Sequence, residues 1–261
     1  MNIKLSIIIA TYNSGKTLRD TLNSVLLQTF KEFEIIIIDG LSNDNTMQIV
    51  NEFEEKFKIN GIPFYWISEK DTGIYDAWNK GLTKANSPWI AFLGSDDTYY
   101  PDALEIYNTQ INKNLNINYI CSKVEYVDSN NKVLKILGNP YSYNQMIRYM
   151  DIAHVGSFHN IELFETHGNF DTSYKIVGDY DFFMKCANEI KPAFIDKITA
   201  RMLNSGISNN NIKNALNEVL AIQIKHKKTT FIQIYFEYYY AILRISKNTI
   251  TTFIIDKLQK K

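Results

Sequence analysis

The alternation of short Ile-rich runs with helical spacings is what most narrows the folds open to this chain. Leu5–Ala10 and Phe33–Ile38 are of strand length and apolar on both faces, and between them Leu18, Leu22, Val25 and Leu26 recur at helical spacing, with Ser14 available as a cap. A strand apolar on both faces needs helices on both sides of its sheet. The rhythm repeats: Val50, Phe53 and Phe57 precede a third run, Phe64–Ile67, and Ile74, Ala77, Trp78 and Leu82 precede a fourth, Trp89–Leu93. A β-α-β-α-β-α-β order predicts an α/β fold, a single Rossmann-like, mostly parallel sheet.

After Pro101 the rhythm changes. Leu104, Tyr107 and Ile111 mark one more helix, and Tyr119–Val127 and Lys132–Leu137 flank Asp128-Ser129-Asn130-Asn131 as a hairpin or antiparallel addition. Residues 140–208 mix short helices and strands in no order the pattern resolves. From 209 the pattern is helical and aromatic, with nine Lys/Arg against three Asp/Glu. The expected division is a domain over 1–208, with a nucleotide-binding half at 1–100 and an acceptor half at 101–208, followed by a basic C-terminal helical appendage at 209–261.

Ligands of an open parallel sheet bind beyond the carboxyl ends of its strands. Those ends read Thr11-Tyr12-Asn13, Asp39-Gly40, Glu69-Lys70-Asp71 and Ser95-Asp96-Asp97. A lone strand-end Asp is more often a helix cap than a ligand. Aspartates at three of four edges repel one another unless something positive binds among them. Asp96-Asp97 suits a hard divalent cation, Mn²⁺ or Mg²⁺, that shares phosphates; the bland alternative is a cap for the helix after Pro101. Ala10-Thr11-Tyr12-Asn13-Ser14-Gly15 is neither a dinucleotide fingerprint nor a P-loop, so a metal, rather than glycines, is left to hold phosphate.

Leu5-Ser6-Ile7-Ile8-Ile9-Ala10-Thr11-Tyr12-Asn13, Ile38-Asp39-Gly40-Leu41-Ser42-Asn43-Asp44-Asn45-Thr46 and Phe92-Leu93-Gly94-Ser95-Asp96-Asp97 together resemble family 2 glycosyltransferases of the GT-A fold. The run from Ser68-Glu69-Lys70-Asp71 to Trp78-Asn79-Lys80-Gly81 resembles the bacterial capsule and exopolysaccharide branch. The resemblance implies that Thr11, Tyr12 and Asp39 line the nucleobase pocket, with Asp39 accepting from a uracil-like ring edge, and that Asn13 belongs to the nucleotide or donor site. It places Asp71, Asn79 and Lys80 near the nucleotide or diphosphate, Asp96 near ribose or diphosphate, and Asp97 on the metal, with Ser95 standing where the DxD pattern has its first Asp. Gly178-Asp179-Tyr180-Asp181 resembles the segment in which an acidic pair opens a helix, Gly178 replacing the first acid. Asp179 matches the base position, and at a helix N-terminus it is expected to be ionised. The bland alternative there is plain N-capping by Asp179 with Asp181 exposed. His154 and Asp181 fall on the acceptor side. Ser205-Gly206-Ile207-Ser208 resembles a loop that closes over the donor, with Gly206 as its hinge.

The implied activity is an inverting, metal-dependent transfer of a sugar from a nucleotide-diphosphate donor, UDP-linked, to a glycan or lipid-linked acceptor in surface polysaccharide synthesis. A sugar-nucleotide nucleotidyltransferase would need a glycine-rich, basic loop that Thr11–Lys16 hardly supplies. A non-catalytic glycan- or metal-binding protein, or a scaffold on a degenerate GT-A fold, stays open given Ser95 and Gly178. Nucleic acid is excluded as a partner on charge, since 28 basic residues balance 28 acidic ones and only four are Arg. Cys121 and Cys186 stand apart, and no apolar run reaches the roughly 18–20 residues of a membrane span, so a cytoplasmic location is expected. Lys225-His226-Lys227-Lys228 with Phe231, Ile234, Tyr235, Tyr238, Tyr239 and Ile242 suggests either peripheral contact with an anionic membrane face or packing on the catalytic domain or in a homodimer.

Overall fold

The computed structural model describes residues 3–204 and 211–243. Strands β1 (Leu5–Thr11), β2 (Phe33–Asp39), β3 (Phe64–Ser68) and β4 (Trp89–Gly94) run parallel in the order β3-β2-β1-β4. Helices α1 (Leu18–Leu26), α2 (Thr46–Ile59) and α3 (Ile74–Leu82) form the crossovers. Each expected strand gains one residue at its carboxyl end, so Thr11, Asp39 and Gly94 are the last rungs of the ladder. Alternate residues face opposite cores. Leu5, Ile7, Ile9, Phe33, Ile35 and Ile37 pack with α1 and α2, whereas Ile8, Ile36 and Ile38 pack with Tyr75 and Trp78 of α3. Ser14 does not cap α1 with its side chain; its carbonyl accepts the Leu18 N–H while its hydroxyl turns toward the strand edges.

The second half makes the sheet mixed. A two-residue strand, β5 (Thr98–Tyr99), is followed by α4 (Ala103–Lys113), and then the expected hairpin forms from β6 (Tyr119–Val127) and β7 (Val133–Leu137). Asp128 Oδ1 accepts the N–H groups of Asn130 and Lys132 in its turn, and Asn131 takes the left-handed conformation at φ 61°. Past a short α5 (Tyr143–Met146) and a 3₁₀ turn at His154–Gly156, β8 (Ser157–Asn160) wedges antiparallel between β4 and β6. Helices α6 (Glu162–His167) and α7 (Gly178–Cys186) cover it, and β9 (Pro192–Leu203) runs parallel to β6 along its whole length.

The strand path ends β4-β8-β6-β9-β5. Only three residues join β4 to β5, yet three strands lie between them, so the sheet curls until β5 pairs with the end of β9 through Thr98↔Arg201. Ser95-Asp96-Asp97 occupies that closure.

Helix α8 (Ile212–His226) packs on α7, and Lys227, left-handed at φ 50°, turns the chain into a further helical stretch over 231–243. The expected aromatic stripe divides: Ile234 is buried and Tyr238 and Ile242 half-buried, while Phe231, Tyr235 and Tyr239 join Ile232, Phe236, Tyr240 and Leu243 on an exposed face. Among the described residues no helix is long and apolar enough to cross a membrane. The loop Ser205–Ser208, with the hinge expected at Gly206, lies outside the described residues, as does the boundary at 208.

Candidate active site

The four strand ends are stitched together by hydroxyl groups. Asp39, fully buried, accepts from Thr11 Oγ1 at 2.9 Å, from Ser68 Oγ at 2.7 Å, from the Ser42 N–H at 2.9 Å and from Ser42 Oγ. Four donors fill the roughly four acceptor positions of a carboxylate. Asp39 thus holds the edges of β1, β2 and β3 in line, and a nucleobase could reach it only by displacing a hydroxyl. Leu41 at φ 60° lets Ser42 turn back on Asp39, a conformation costing a bulky residue about 1–2 kcal/mol. Asn13, left-handed at φ 49°, donates its N–H to Ser42 Oγ and accepts the Asn43 N–H, which leaves Tyr12 projecting from the rim, 66% exposed.

Two glycines admit the acids. A Cβ on Gly40 would lie 2.6 Å from Asp71 Oδ2, so the third-edge aspartate folds onto the second edge. Burial raises the Asp71 carboxyl above its ordinary value, with Asp76 and Asp39 adding to that against Gly73 N–H and Lys80. A Cβ on Gly94 would lie 2.5 Å from Asp97 Oδ2 and 3.0 Å from Asp96 Oδ1, so both carboxylates converge over one backbone position. Asp97 Oδ1 accepts the Leu203 N–H from the end of β9 at 3.0 Å, which answers the capping alternative: α4 begins after Asp102, with no side-chain cap. Burial and then the charge of Asp96 push Asp97 well above the carboxylate range, and no Lys, Arg or His among the described residues forms an ion pair with it. Two converging hard oxygen donors, one of them short of positive charge, fit a divalent cation. Ser95, in place of the first acid, shares a 2.8 Å hydrogen bond with Ser14 and so ties the β4 edge to β1.

Asp179 stands in the first turn of α7, half-buried. Its Oδ1 accepts the Tyr180 N–H at 2.9 Å and the Tyr75 hydroxyl at 3.2 Å; Tyr75 OH also reaches the Ile176 carbonyl at 2.9 Å. Asp179 Oδ2 has no hydrogen-bond partner among the described residues, and the side chain lines a cavity. A Cβ on Gly178 would meet the Tyr75 ring at 2.9 Å, so the missing first acid gives way to the aromatic ring that positions the second. Glu218 of α8 completes the support by accepting the N–H groups of Lys175, Ile176 and Val177.

Three expected site residues are engaged elsewhere in the structure. Asn79, expected near the nucleotide or diphosphate, pairs with both backbone groups of Phe170, at 2.9 and 3.0 Å. Lys80 is drawn outward to Glu69 at 2.9 Å and the Lys70 carbonyl at 2.8 Å. Asp181 is neither exposed nor on an acceptor surface: it is fully buried and meets Lys225 Nζ at 3.0 Å, His226 Nε2 at 2.8 Å and Lys185 Nζ at 3.4 Å. Two positions along a helix turn a side chain by about 200°, which takes Asp181 away from Asp179. Lys225 and His226, half of the basic cluster, are therefore paired with a buried carboxylate, Lys225 from an exposed position. His154 stacks among Trp78, Phe92 and His159, with Nε2 buried and unpartnered; burial lowers it and the Asp179 charge raises it, with burial winning.

The chain matches the family model "Glycosyl transferase family 2" over residues 6–167. It is 30% identical over 193 residues to a "PGL/p-HBAD biosynthesis glycosyltransferase" of Mycobacterium tuberculosis, spanning 74% of this chain and 72% of the relative. The protein belongs to glycosyltransferase family 2. An uncharacterized glycosyltransferase of Methanocaldococcus jannaschii is 27% identical over 74% of this chain and 68% of its own. The fold of this family 2 member is GT-A: S. aureus TarS (residues 1–349, in complex with UDP) superposes with a TM-score of 0.69 at 20% identity, covering 90% of this chain and 68% of that one. The mannosyltransferase PcManGT of Pyrobaculum calidifontis, in complex with GDP-Man and Mn²⁺, superposes at 0.66 with 14% identity, over 88% and 66%.

Sequence reasoning passed over Tyr75, Ser42, Ser68 and Glu218. Tyr75 lay within the run that carried the resemblance; Glu218 had no local signal, because its partners are 41 to 43 residues away.

The Asp181 cluster is open to a direct test. Burial pushes its carboxyl up, but His226, Lys225 and Lys185 outweigh that and hold it below the ordinary value. Asp171, on the same lysine, is held at about 2, chiefly by the Ser173 hydroxyl. Both carboxyls are depressed, so each adds stability that is complete above the unfolded-state value of 3.8 and is lost as pH falls below it, for Asp171 down to about 2. Asp181→Ala leaves two lysines and a histidine facing an empty site. With Lys225 and Lys185 partly in water, the expected cost is about 2–4 kcal/mol at pH 7, read by urea denaturation, and the gap to wild type should narrow below pH 4. An unchanged midpoint at pH 7 would show that the cluster is ornamental.

Proposed function

We propose that this glycosyltransferase inverts the anomeric centre of a UDP-linked sugar and passes it to a hydroxyl of a surface glycan or its lipid-linked precursor. The observation that carries the reading is the convergence of Asp96 and Asp97 over Gly94, on the rim that also bears Tyr12, with Asp179 offering from α7 an oxygen that has no partner among the described residues. Tyr12, exposed and aromatic, supplies a face for the base. The uridine choice follows the TarS neighbour, crystallised with UDP and with UDP-GlcNAc, against GDP-Man in the mannosyltransferase. Asp97, with Asp96 beside it, would hold Mn²⁺ or Mg²⁺, which neutralises charge on the departing diphosphate.

Asp179 takes the proton of the acceptor hydroxyl as that oxygen bonds to the anomeric carbon, and the bond from that carbon to the diphosphate oxygen breaks. Tyr75 fixes Oδ1 so that Oδ2 faces the acceptor. His154, beside Asp179 and kept neutral by burial, belongs to the acceptor side. The outward aromatic face over 231–243 is where a membrane surface or a second copy of the chain would meet it.

Thermal melting with UDP, GDP, CDP and dTDP, each with and without Mn²⁺, tests the donor site. UDP with Mn²⁺ at a hundred times its dissociation constant should add about 2.7 kcal/mol of stability, and UDP alone much less. A larger shift with GDP would reassign the base; no shift with any of the four would leave the chain a non-catalytic member of its family.

A further inference from the structure

A cavity of about 910 Å³ lies between α7, α8 and the helical stretch over 231–243. Three charged side chains line it: Asp179, Arg148 just past α5, and Glu237 of the helical stretch. Glu237 Oε1 accepts from Arg148 Nε and from Gln233 Nε2 at 3.2 Å. Its Oε2 is buried and has no hydrogen-bond partner among the described residues. The Arg148 Nη nitrogens also have none among the described residues. Arg148 is fixed from behind: buried Gln223 donates to its carbonyl and, at 3.4 Å, to the hydroxyl of Tyr180, the residue next to Asp179.

A buried carboxylate oxygen without a donor is costly, and a ligand that brings one relieves the cost. The ion pair limits what that ligand can be. An ammonium group on Glu237 would face Arg148, and a phosphate or carboxylate on Arg148 would face Glu237 and Asp179. A neutral ligand that donates from one atom and accepts on the next meets neither repulsion, and adjacent ring hydroxyls of a sugar do both. Tyr149 and Phe236, in the same lining, supply aromatic surface against which the C–H side of a sugar ring can pack. We infer that Glu237 and Arg148 read a pair of adjacent hydroxyls on the acceptor sugar, so that the helical stretch over 231–243 takes part in acceptor selection. The inference rests on the proposed role of Asp179, which receives the reacting hydroxyl of the same sugar. Glu237 lies outside the residues 6–167 that match the family model.

The test is saturation-transfer NMR on the full-length protein with UDP and Mg²⁺ present. The probes are the methyl glycosides of glucose, galactose, mannose and rhamnose, and at least one should bind. For the tightest of them, each monodeoxy analogue is compared with the parent sugar. Loss of either of two adjacent hydroxyls should weaken binding to the wild type about tenfold, as expected for a hydrogen bond to a charged group. Glu237→Ala should bind the parent as weakly as the wild type binds one of those two analogues, and should no longer tell parent from that analogue. Arg148→Ala should do the same for the adjacent hydroxyl. Glu237→Gln, nearly isosteric, should reduce the same discrimination and serves if Glu237→Ala does not fold. A merely structural role would weaken parent and every analogue by one factor. That uniform loss, no binding of any of the four probes by the wild type, or sensitive hydroxyls that are not adjacent overturns the inference. Binding is read without transfer, so the two readings separate. The hydroxyl pattern together with full transfer by Asp179→Asn moves the base only; loss of transfer by Asp179→Asn without the hydroxyl pattern removes the role of Glu237 and Arg148 only.

Discussion

Asp179→Asn should lower sugar transfer by about 10²–10⁴-fold, the usual contribution of a positioned general base, while UDP binding stays at the wild-type level. The substitution is nearly isosteric, and the amide oxygen can still accept from Tyr75 OH and the Tyr180 N–H, so the first turn of α7 should keep its place. What disappears is the capacity of the second oxygen to take a proton. Release of UDP in the presence of acceptor, followed alongside UDP-induced melting shifts, separates the two effects. Full transfer by Asp179→Asn would move the base elsewhere. Tyr75→Phe is the companion: it keeps the ring against Gly178 but drops the hydroxyl, and should reduce turnover less than Asp179→Asn does.

Asp97→Ala should remove most of the metal-dependent rate. If the cation supplies several kcal/mol to the departing diphosphate, the fall is about 10²–10³-fold. Alanine also leaves the Leu203 N–H without its acceptor, which costs about 1–3 kcal/mol if that group stays dry. Asp97→Asn isolates the charge. Its amide oxygen can keep Leu203, and the buried like-charge pairing with Asp96 is gone, so in metal-free buffer it should melt at or above the wild-type temperature yet remain inactive. Activity in Asp97→Asn equal to wild type would mean that no cation is held by this carboxylate.

The parallel half of the fold was legible because its information is local. Ile35–Ile38 is apolar on both faces whatever follows it, and the edge residues fall next to such runs by counting. The later half was not, because β5, β8 and β9 are short or mixed in pattern and take their place from distant partners; β9 follows β6 by some seventy residues. The same division runs through the site. Asp96, Asp97 and Asp179 were named from their motifs, and the structure sets the first two over Gly94 and gives the third a hydroxyl support. Asn79, Lys80 and Asp181 were named on the same basis, but their side chains are engaged by Phe170, Glu69 and Lys225, and no spacing rule shows a contact across 91 or 44 residues. The apparent losses at Ser95 and Gly178 make sense only with Ser14 and the Tyr75 ring beside them.

Glu218 carries a consequence for the order in which the molecule becomes competent. Asp39 and Asp71 find their partners within the first hundred residues, whereas Asp97 waits for the Leu203 N–H at the end of β9. The backbone leading into Asp179 has three N–H groups that wait for a carboxylate some forty residues further along. At a synthesis rate of about 5–20 residues per second, a nascent chain holds the β1–β3 strand ends in line for several seconds before α8 emerges to support the backbone ahead of Asp179. A chain halted in that interval would have its β1–β3 edge in line but neither the Asp97 anchor nor the support ahead of Asp179, so on the proposed reading both carboxylates become competent only once the region past residue 200 has been made.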